Sequence, residues 1–247
     1  MTNPTALVTG AASGIGLATA RRLRAAGAGR LLLCDRNAAG LDAAAATIGG
    51  DCLTLAGDVA DEGYWAGVAP RCAGLAWAVI NAGISTAAPI ADLTFAEWRR
   101  TLATNLDGTF LTLRTALGAM AAGGAIVLVA SASGLKAEAG IAAYAASKAG
   151  AIQLMRVAAK EAAPRGIRIN AVAPGGVETP MWDAMPAFRA LAAAEGREAA
   201  FRAMAAATPL GRFATADEIA GHIAYLLSDA AAGMTGSVMT IDGGYTG

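Results

Sequence analysis

The sequence is poor in the residues that bind metals, form disulfides or attract polyanions. Its 19 basic and 19 acidic side chains leave no net charge, which argues against nucleic acid or an anionic membrane as the main partner. The single histidine, His222, has no nucleophile elbow to complete a Ser-His-Asp hydrolase. We expect it at the surface or at an interface. Without a cluster of cysteine and histidine, the sequence predicts no metal site.

Cysteine and targeting signals are equally scarce. The three cysteines have neither disulfide nor metal-ligand spacing, so we expect each of them in the interior and a reducing compartment. The N-terminus lacks the basic and apolar segments of a signal peptide, and we expect a cytoplasmic protein. Residues 115–135 carry no charge over a length that could span a membrane. Gly123 and Gly124 interrupt them, which favours a helix ending at the glycines, then a buried strand, and no membrane partner.

The remaining composition indicates an α/β protein with a large core. Hydrophobic residues make up 55% of the 247 residues, and we expect a single domain over residues 1–247. Two capping boxes, Thr94 with Glu97 and Thr215 with Glu218, predict helices that run to about residue 120 and about residue 228. Short apolar segments predict strands between the helices, at residues 6–8, 31–34, 52–56, 76–80, 125–129, 167–172 and 237–241.

The first strand runs directly into a glycine-rich turn, Thr9-Gly10-Ala-Ala-Ser13-Gly14-Ile15-Gly16, followed by a helix. Glycines let a backbone approach a pyrophosphate, and a helix N-terminus offers free N–H groups to it. The spacing differs from the commoner Gly-x-Gly-x-x-Gly fingerprint. Alone, either pattern could be a tight turn; between a strand and a helix it predicts phosphate binding.

Polar residues follow the next three strands at their carboxyl ends, where open α/β sheets bind ligands. Asp35 ends the second strand and is suited to accept hydrogen bonds from an adenosine ribose, which favours NAD over NADP. Arg36 leaves NADP open, since an arginine there could pair with the 2′-phosphate. Asp58 and Val59 follow the third strand, placed to meet the adenine, and Asn81-Ala82-Gly83 follows the fourth.

Tyr144 and Lys148 lie four residues apart on a predicted helix, which brings their Cβ atoms within about 5–6 Å. A neighbouring ammonium favours phenolate and would lower the tyrosine pKa, making Tyr144 a candidate proton donor and acceptor. Tyr-x-x-x-Lys alone is a weak pattern. Asn105 lies within the preceding long helix, where its amide either bridges core groups or holds a functional water.

Residues 177–213 differ in composition from the rest of the chain, because they carry large apolar side chains between prolines. Their position after a cofactor-edge loop indicates a lid over a substrate pocket, and the alternative is an ordinary amphipathic helical pair. The apolar residues at its start, Met181, Trp182 and Met185, favour a moderately hydrophobic substrate. Arg189, Arg197 and Arg202 leave an anionic group possible.

Taken together, the motifs resemble the short-chain dehydrogenase/reductase family over essentially the whole chain. They are Thr9-Gly-x-x-x-Gly-Ile-Gly16, Asp58, Asn81-Ala-Gly83, Asn105, Ser131, Tyr144-x-x-x-Lys148, Pro174-Gly175 and Asp242-Gly-Gly244. The resemblance implies a Rossmann-type, doubly wound, seven-stranded parallel sheet with helices on both faces. It also implies a homotetramer and an NAD(P)-dependent alcohol dehydrogenase or ketoreductase.

The resemblance implies roles for individual residues as well. Asn105, Ser131, Tyr144 and Lys148 would form a catalytic tetrad, with Ser133 at the substrate rather than in the tetrad. The implied cofactor residues are Gly10, Ser13, Gly14, Ile15, Gly16, Asp35, Arg36, Asp58, Val59, Asn81, Ala82, Gly83, Tyr144, Lys148, Pro174, Gly175, Val177 and Thr179. The implied substrate pocket is Ser133, Ile141, Met181, Trp182 and Met185.

The expected reaction is hydride transfer between NAD and a secondary alcohol or ketone. One alternative is an NADPH-preferring ketoreductase of the 3-oxoacyl type. Another is a nucleotide-sensing protein without catalysis, which we would expect to have lost Tyr144 or Lys148.

Overall fold

The computed structural model of the protein describes residues 3–247, and strands and helices alternate along them. The strands are β1 (Thr5–Thr9), β2 (Arg30–Asp35), β3 (Asp51–Ala56), β4 (Leu75–Ile80), β5 (Met120–Val129), β6 (Arg168–Pro174), β7 (Val177–Glu178), β8 (Ala214–Thr215) and β9 (Val238–Ile241). The α-helices are α1 (Gly14–Ala25), α2 (Ala38–Ile48), α3 (Glu62–Val68), α4 (Phe95–Leu102), α5 (Gly108–Ala119), α6 (Ala142–Ala162), α7 (Pro186–Glu195), α8 (Arg197–Met204) and α9 (Ala216–Leu227).

Seven strands form one parallel sheet in the order β3-β2-β1-β4-β5-β6-β9. The chain first builds outward from β1 to β3 and then crosses back to β4, so the order reverses between β1 and β4. The carboxyl ends of strands at such a switch point form the ligand crevice of doubly wound folds. The predicted seven-stranded, doubly wound parallel sheet is confirmed.

Helices cover both faces because successive residues of a strand point to opposite sides. Leu7 belongs to a core with side chains of α3, α5 and α6, whereas its neighbours Ala6 and Val8 belong to a second core with α1, α2 and α9. Strands buried on both sides read as continuous apolar runs, as these do. The two cores fix the strand ends that carry the polar residues.

The glycines at 123 and 124 do not end the preceding helix, and that prediction is wrong. Helix α5 ends at Ala119, and Met120 already pairs with Leu75 in the sheet. The strand then bulges: β4 advances from Leu75 to Trp77 while β5 advances from Met120 to Ala125. Gly123 takes a positive φ of 83° within this bulge, a conformation that glycine adopts without strain. In the described chain, no helix is both long and apolar enough to cross a membrane.

The long helix predicted from Thr94 forms, but it changes pitch in the middle. Both predicted capping boxes are present, at Thr94 and at Thr215. Between α4 and α5 the residues Ala103–Asp107 form a π-helical segment, a feature often found at functional sites. Asn105 lies at its centre.

Residues 177–213 form a small subassembly with its own core. Helices α7 and α8 bury Phe188 and Phe201, and Phe213 and Trp182 pack against them. The Trp182 ring stacks on Phe213 with 5.0 Å between ring centres. The short strands β7 and β8 pair in parallel as a separate two-stranded sheet.

Candidate active site

The glycine-rich turn after β1 is shaped for close approach of a ligand. Gly10 and Gly14 have positive φ values of 67° and 53°, which side chains rarely allow. A Cβ atom on Gly16 would lie 2.0 Å from the Gly10 carbonyl oxygen, so no larger residue fits there. The turn and the N-terminus of α1 face a cleft of about 240 Å³. This is the geometry that receives a pyrophosphate.

The Asp35 carboxylate is fixed at the end of β2 beside this turn. It accepts hydrogen bonds from the backbone N–H groups of Ala12 at 3.1 Å and Asn37 at 3.0 Å. Predicted cofactor residues from the ends of five strands line the cleft together: Gly10, Ser13, Gly14, Ile15, Asp35, Arg36, Asp58, Val59, Asn81, Ala82, Gly83 and Thr179. Gly16 is buried against the turn instead of lining the cleft.

Asn81 ties the end of β4 to the glycine-rich turn. Its backbone N–H donates to the Thr9 hydroxyl at 2.9 Å, and its side-chain amide donates to the Thr9 carbonyl at 3.0 Å. These bonds cross 72 residues of sequence and hold the two neighbouring strand ends in register. The residues present therefore fit a bound dinucleotide.

A second cavity, of about 650 Å³, adjoins the cleft. The two share Ile15, Asn81, Gly83, Thr179 and Met181 as lining residues, so they form one continuous space. Ser131, Tyr144 and Lys148 line this second cavity, as do the predicted cofactor residues Pro174, Gly175 and Val177. All five predicted pocket residues line it too: Ser133, Ile141, Met181, Trp182 and Met185.

Lys148 and Tyr144 are buried together on α6. The Lys148 ammonium donates to the Val129 carbonyl at 2.9 Å and lies 5.8 Å from the centre of the Tyr144 ring. Burial lowers the Lys148 pKa to about 8. Burial also raises the Tyr144 pKa, against a smaller opposing effect of the Ser131 hydroxyl.

The prediction that Lys148 lowers the Tyr144 pKa below its ordinary value is therefore wrong, because burial raises that pKa. Removal from water disfavours both the phenolate and the ammonium, and the ammonium is hydrogen-bonded to Val129. The phenol of Tyr144 is thus neutral at physiological pH in this form of the site.

Asn105 bridges groups of the protein core, the first of its two predicted alternatives. Its side chain accepts from the Ile84 N–H at 2.8 Å and donates to the Ile84 carbonyl at 2.9 Å and the Ser147 hydroxyl at 3.0 Å. A Cβ atom on Gly83 would lie 3.3 Å from Asn105 Oδ1 and 3.4 Å from Lys148 Nζ. The missing side chain of Gly83 leaves space beside both polar atoms.

Ser131 and Ser133 both reach the cavity from the loop after β5. The Ser131 hydroxyl is buried and accepts the Ser133 N–H at 3.2 Å. Ser131 is also the serine whose hydroxyl acts on the Tyr144 pKa, which agrees with the spacing implied by the family resemblance.

Glu138 and Tyr245 also line the cavity. Glu138 belongs to the loop of residues 134–143, which the sequence predicts as a wall of the substrate pocket, whereas Tyr245 was not foreseen. The Tyr245 hydroxyl donates to Glu138 Oε2 at 2.9 Å across 107 residues of chain. The Asp242-Gly-Gly motif just before Tyr245 was the available signal. Asp242 folds the C-terminal turn by accepting from the backbone N–H groups of Gly244 and Thr246.

The lid arginines and the histidine lie away from the cavity. Arg189 and Arg202 are exposed, and Arg197 pairs with Asp183 and donates to the Thr179 carbonyl at 3.2 Å. His222 is exposed on α9, as expected. Cys34 and Cys72 are buried and Cys52 is half-buried. Over residues 3–247, no group of three or more His, Cys, Asp or Glu side chains could hold a metal ion.

Comparison with known proteins identifies the family. The family described as enoyl-(acyl carrier protein) reductase matches residues 10–246. Cis-4-hydroxycyclohexanecarboxylate dehydrogenase of Sinomonas cyclohexanicum is 42% identical over 98% of this chain and 96% of its own. D-threitol dehydrogenase of Mycolicibacterium smegmatis is 40% identical over 98% of this chain and 92% of its own. The crystal structure of levodione reductase superposes with a TM-score of 0.88 and 35% identity, covering 100% of this chain and 98% of that one. The chain therefore belongs to the short-chain dehydrogenase/reductase family and is an NAD(P)-dependent oxidoreductase of secondary alcohols.

Proposed function

We propose that the protein interconverts a moderately hydrophobic secondary alcohol and its ketone with NAD, in one domain whose lid spans residues 177–213. The observation that carries this proposal is that Ser131, Tyr144 and Lys148 line the cavity that opens into the dinucleotide cleft. A substrate in that cavity would meet the proton-transferring hydroxyl at one end of a space that continues to the cofactor.

Each member of the tetrad has a role that follows from its chemistry. The residues of the cleft would hold the dinucleotide, which would supply the acceptor for the hydride of the alcohol. In the reducing direction the protonated Tyr144 donates its proton to the carbonyl oxygen and becomes phenolate. In the oxidising direction Tyr144 must first lose its own proton to solvent, and the phenolate then takes the proton of the substrate hydroxyl. The Ser131 hydroxyl donates to the same oxygen and stabilises its developing charge.

Lys148 and Asn105 support this proton transfer. The Lys148 ammonium stabilises the Tyr144 phenolate once it forms, because opposite charges attract strongly in a buried site. Asn105 holds the π-helical segment beside Lys148, and a water in the space beside Gly83 would connect the ammonium to solvent.

Asp35 supports NAD as the preferred cofactor. Its carboxylate is fixed by two backbone N–H groups at the cleft, where it would accept from ribose hydroxyls and repel a 2′-phosphate. Arg36 lines the same cleft and offers the opposite charge. The fixed position of Asp35 favours NAD over NADP.

The relatives support the substrate class and also the alternative. Their names describe dehydrogenases of a hydroxylated ring and of the sugar alcohols threitol and galactitol. A putative ketoacyl reductase of the monensin polyketide synthase from Streptomyces virginiae is 39% identical over 98% of this chain. The second candidate function is therefore an NADPH-dependent ketoreductase. A non-catalytic sensor is disfavoured because Tyr144 and Lys148 are both present.

A homotetramer in the cytoplasm completes the proposal. Exposed apolar side chains on the helices of one sheet face support self-association, namely Phe95 on α4, Phe110 on α5 and Val157 on α6. The three free cysteines suit a reducing compartment.

A panel of secondary alcohols tests the proposed reaction. Each alcohol is mixed with the protein and either NAD or NADP, and the absorbance of the reduced nicotinamide is followed. We expect turnover with at least one cyclic or linear secondary alcohol and a higher kcat/KM with NAD. Turnover with NADP alone would favour the ketoreductase alternative.

Asp35→Ala tests the cofactor assignment. Removing the carboxylate takes away the ribose acceptor and the repulsion of a 2′-phosphate, so we expect kcat/KM for NAD to fall by roughly tenfold and that for NADP to rise. Asp42→Ala removes a carboxylate from α2 and serves as the control. An unchanged NAD-to-NADP ratio in Asp35→Ala would contradict the assignment.

A further inference from the structure

The charges that line the substrate cavity are few and lie on different elements. In the described part of the chain only Lys148 and Glu138 are charged among the residues that line it. The Lys148 ammonium is buried and already bonded to the Val129 carbonyl. Glu138 is exposed on the loop before α6 and therefore lies at the cavity's mouth.

Glu138 is held in place from the C-terminus. Its Oε2 atom accepts the Tyr245 hydroxyl at 2.9 Å. Tyr245 is in turn fixed by the Asp242 turn, where its N–H donates to the Asp242 carbonyl at 3.2 Å. Burial and the Glu138 carboxylate raise the Tyr245 pKa, so this hydroxyl keeps its proton. The carboxylate is thus a positioned group on the cavity wall.

Glu138 and Tyr245 present hydrogen-bond acceptors to a ligand in the cavity. A carboxylate has no hydrogen to donate, and the Tyr245 hydroxyl has already given its hydrogen to Glu138. Oε1 of Glu138 makes no hydrogen bond to any residue that the structure describes. Both groups therefore take hydrogens from a ligand, and a ligand hydroxyl supplies them.

The cationic side chains near Glu138 and in the lid already interact with other groups. Lys136, on the same loop, donates to the Tyr245 carbonyl at 2.5 Å and lies 4.6 Å above the Tyr245 ring. Arg197 of the lid pairs with Asp183. Neither lines the cavity, and Lys148, the cation that does, is buried and bonded to the Val129 carbonyl. At the exposed mouth of the cavity a substrate carboxylate would therefore meet the charge of Glu138.

We propose that Glu138, positioned by Tyr245, selects neutral substrates that carry a second hydroxyl, such as cyclic diols, and rejects hydroxy acids. This inference rests on the proposed function, because it concerns the alcohol that the tetrad oxidises. Tyr245 acts through Glu138 and is a positioning residue.

A size-matched pair of alcohols tests the selection. The full-length protein is given NAD with cyclohexane-1,4-diol or 4-hydroxycyclohexanecarboxylate, each as its cis and trans isomers. We expect kcat/KM to favour the diol by roughly tenfold or more, because like charges at a binding site are strongly disfavoured. An equal or higher kcat/KM for the hydroxy acid would overturn the inference while leaving the proposed function intact.

Variants connect the preference to Glu138. In Glu138→Gln the shape is kept and the charge is lost, so the diol-to-acid ratio should fall by about tenfold, chiefly through a lower KM for the acid. In Tyr245→Phe the diol KM should rise while kcat is retained. Glu161→Gln loses the same charge at an exposed site near the other end of α6, roughly 28 Å from the first residue of that helix, and should keep the wild-type ratio.

The outcomes separate the two claims. A ratio in Glu138→Gln that equals the wild-type ratio overturns the role of Glu138. If neither test alcohol is oxidised but another secondary alcohol is, the selection is overturned and the proposed function stands. If no secondary alcohol is oxidised with either cofactor, the proposed function falls as well.

Discussion

At the scale of single residues, the site depends on two ionisable side chains, Tyr144 and Lys148, that are buried near each other on α6. Burial raises the Tyr144 pKa and lowers the Lys148 pKa to about 8. Each shift has the same cause, the cost of holding a charge away from water. The phenol of Tyr144 therefore keeps its proton at neutral pH.

The pH dependence of stability tests the burial of Lys148. Its pKa is about 8 when folded against 10.5 ordinarily, so between these values the unfolded chain binds more protons and folding becomes more favourable as the pH rises. We expect the free energy of unfolding to gain about 2 kcal/mol from this group between about pH 7 and about pH 9.5. Tyr144, with its raised pKa, opposes this trend only above about pH 10.

Urea titrations of Lys148→Met provide the measurement. The variant should lack the gain that the wild type shows over this pH range. Lys160→Met removes an exposed lysine from the same helix and should retain it. If the free energy of unfolding changes with pH in the same way in wild type and in Lys148→Met, the burial of an ionisable Lys148 is contradicted.

At the scale of elements, the π-helical segment and α6 are joined by one hydroxyl. Ser147 is fully buried and donates to the Tyr144 carbonyl at 2.7 Å, while it accepts the Asn105 amide at 3.0 Å. It thus connects the segment that carries Asn105 to the first turn of the helix that carries Tyr144 and Lys148. The relative position of the tetrad depends on this contact.

Ser147→Ala should destabilise the protein by about 1–3 kcal/mol, because a buried amide hydrogen of Asn105 loses its partner. Thermal unfolding measures the change. Thr112→Val is the matched control, since its buried hydroxyl only donates to a carbonyl of its own helix, that of Gly108. Equal losses of stability in the two variants would show that the bond between Ser147 and Asn105 stabilises the protein no more than a hydroxyl bond within one helix.

At the scale of the whole molecule, the lid has a core separate from the two cores of the sheet. Phe188 and Phe201 pack with Phe213 in a cluster that shares no residues with the sheet cores. Small packed units of this kind open locally at lower free energy than the main core. We therefore propose that residues 177–213 open to admit substrate while the sheet stays intact.

Hydrogen exchange tests the independence of the lid. Phe188→Ala removes a fully buried ring, a change that costs roughly 3–5 kcal/mol in packed cores. We expect exchange in α7 and α8 to accelerate by more than about tenfold with little change in β4, β5 and β6. Leu210→Ala, at an exposed site, should leave both regions unchanged. Acceleration of the sheet to the same degree would mean that the lid does not open alone.

Most of the fold could be predicted from the sequence because it is encoded locally. Apolar runs specify the strands, and glycines specify the turn after β1. The π-helical segment has no such signal, and its central residue Asn105 bonds to Ile84 and Ser147, which are distant in the sequence. The contact between Tyr245 and Glu138 spans 107 residues, and the direction of the Tyr144 pKa shift depends on burial that only the folded chain creates.

The most direct test of the account is Tyr144→Phe, which removes only the hydroxyl that exchanges the proton. Stopped-flow measurement of hydride transfer, with NAD binding followed separately by fluorescence titration, separates chemistry from binding. For Tyr144→Phe we expect an unchanged Kd for NAD and a loss of roughly 10³-fold in the rate of hydride transfer from the preferred alcohol. Hydride transfer at the wild-type rate in Tyr144→Phe would contradict the role of Tyr144 as the proton donor and acceptor.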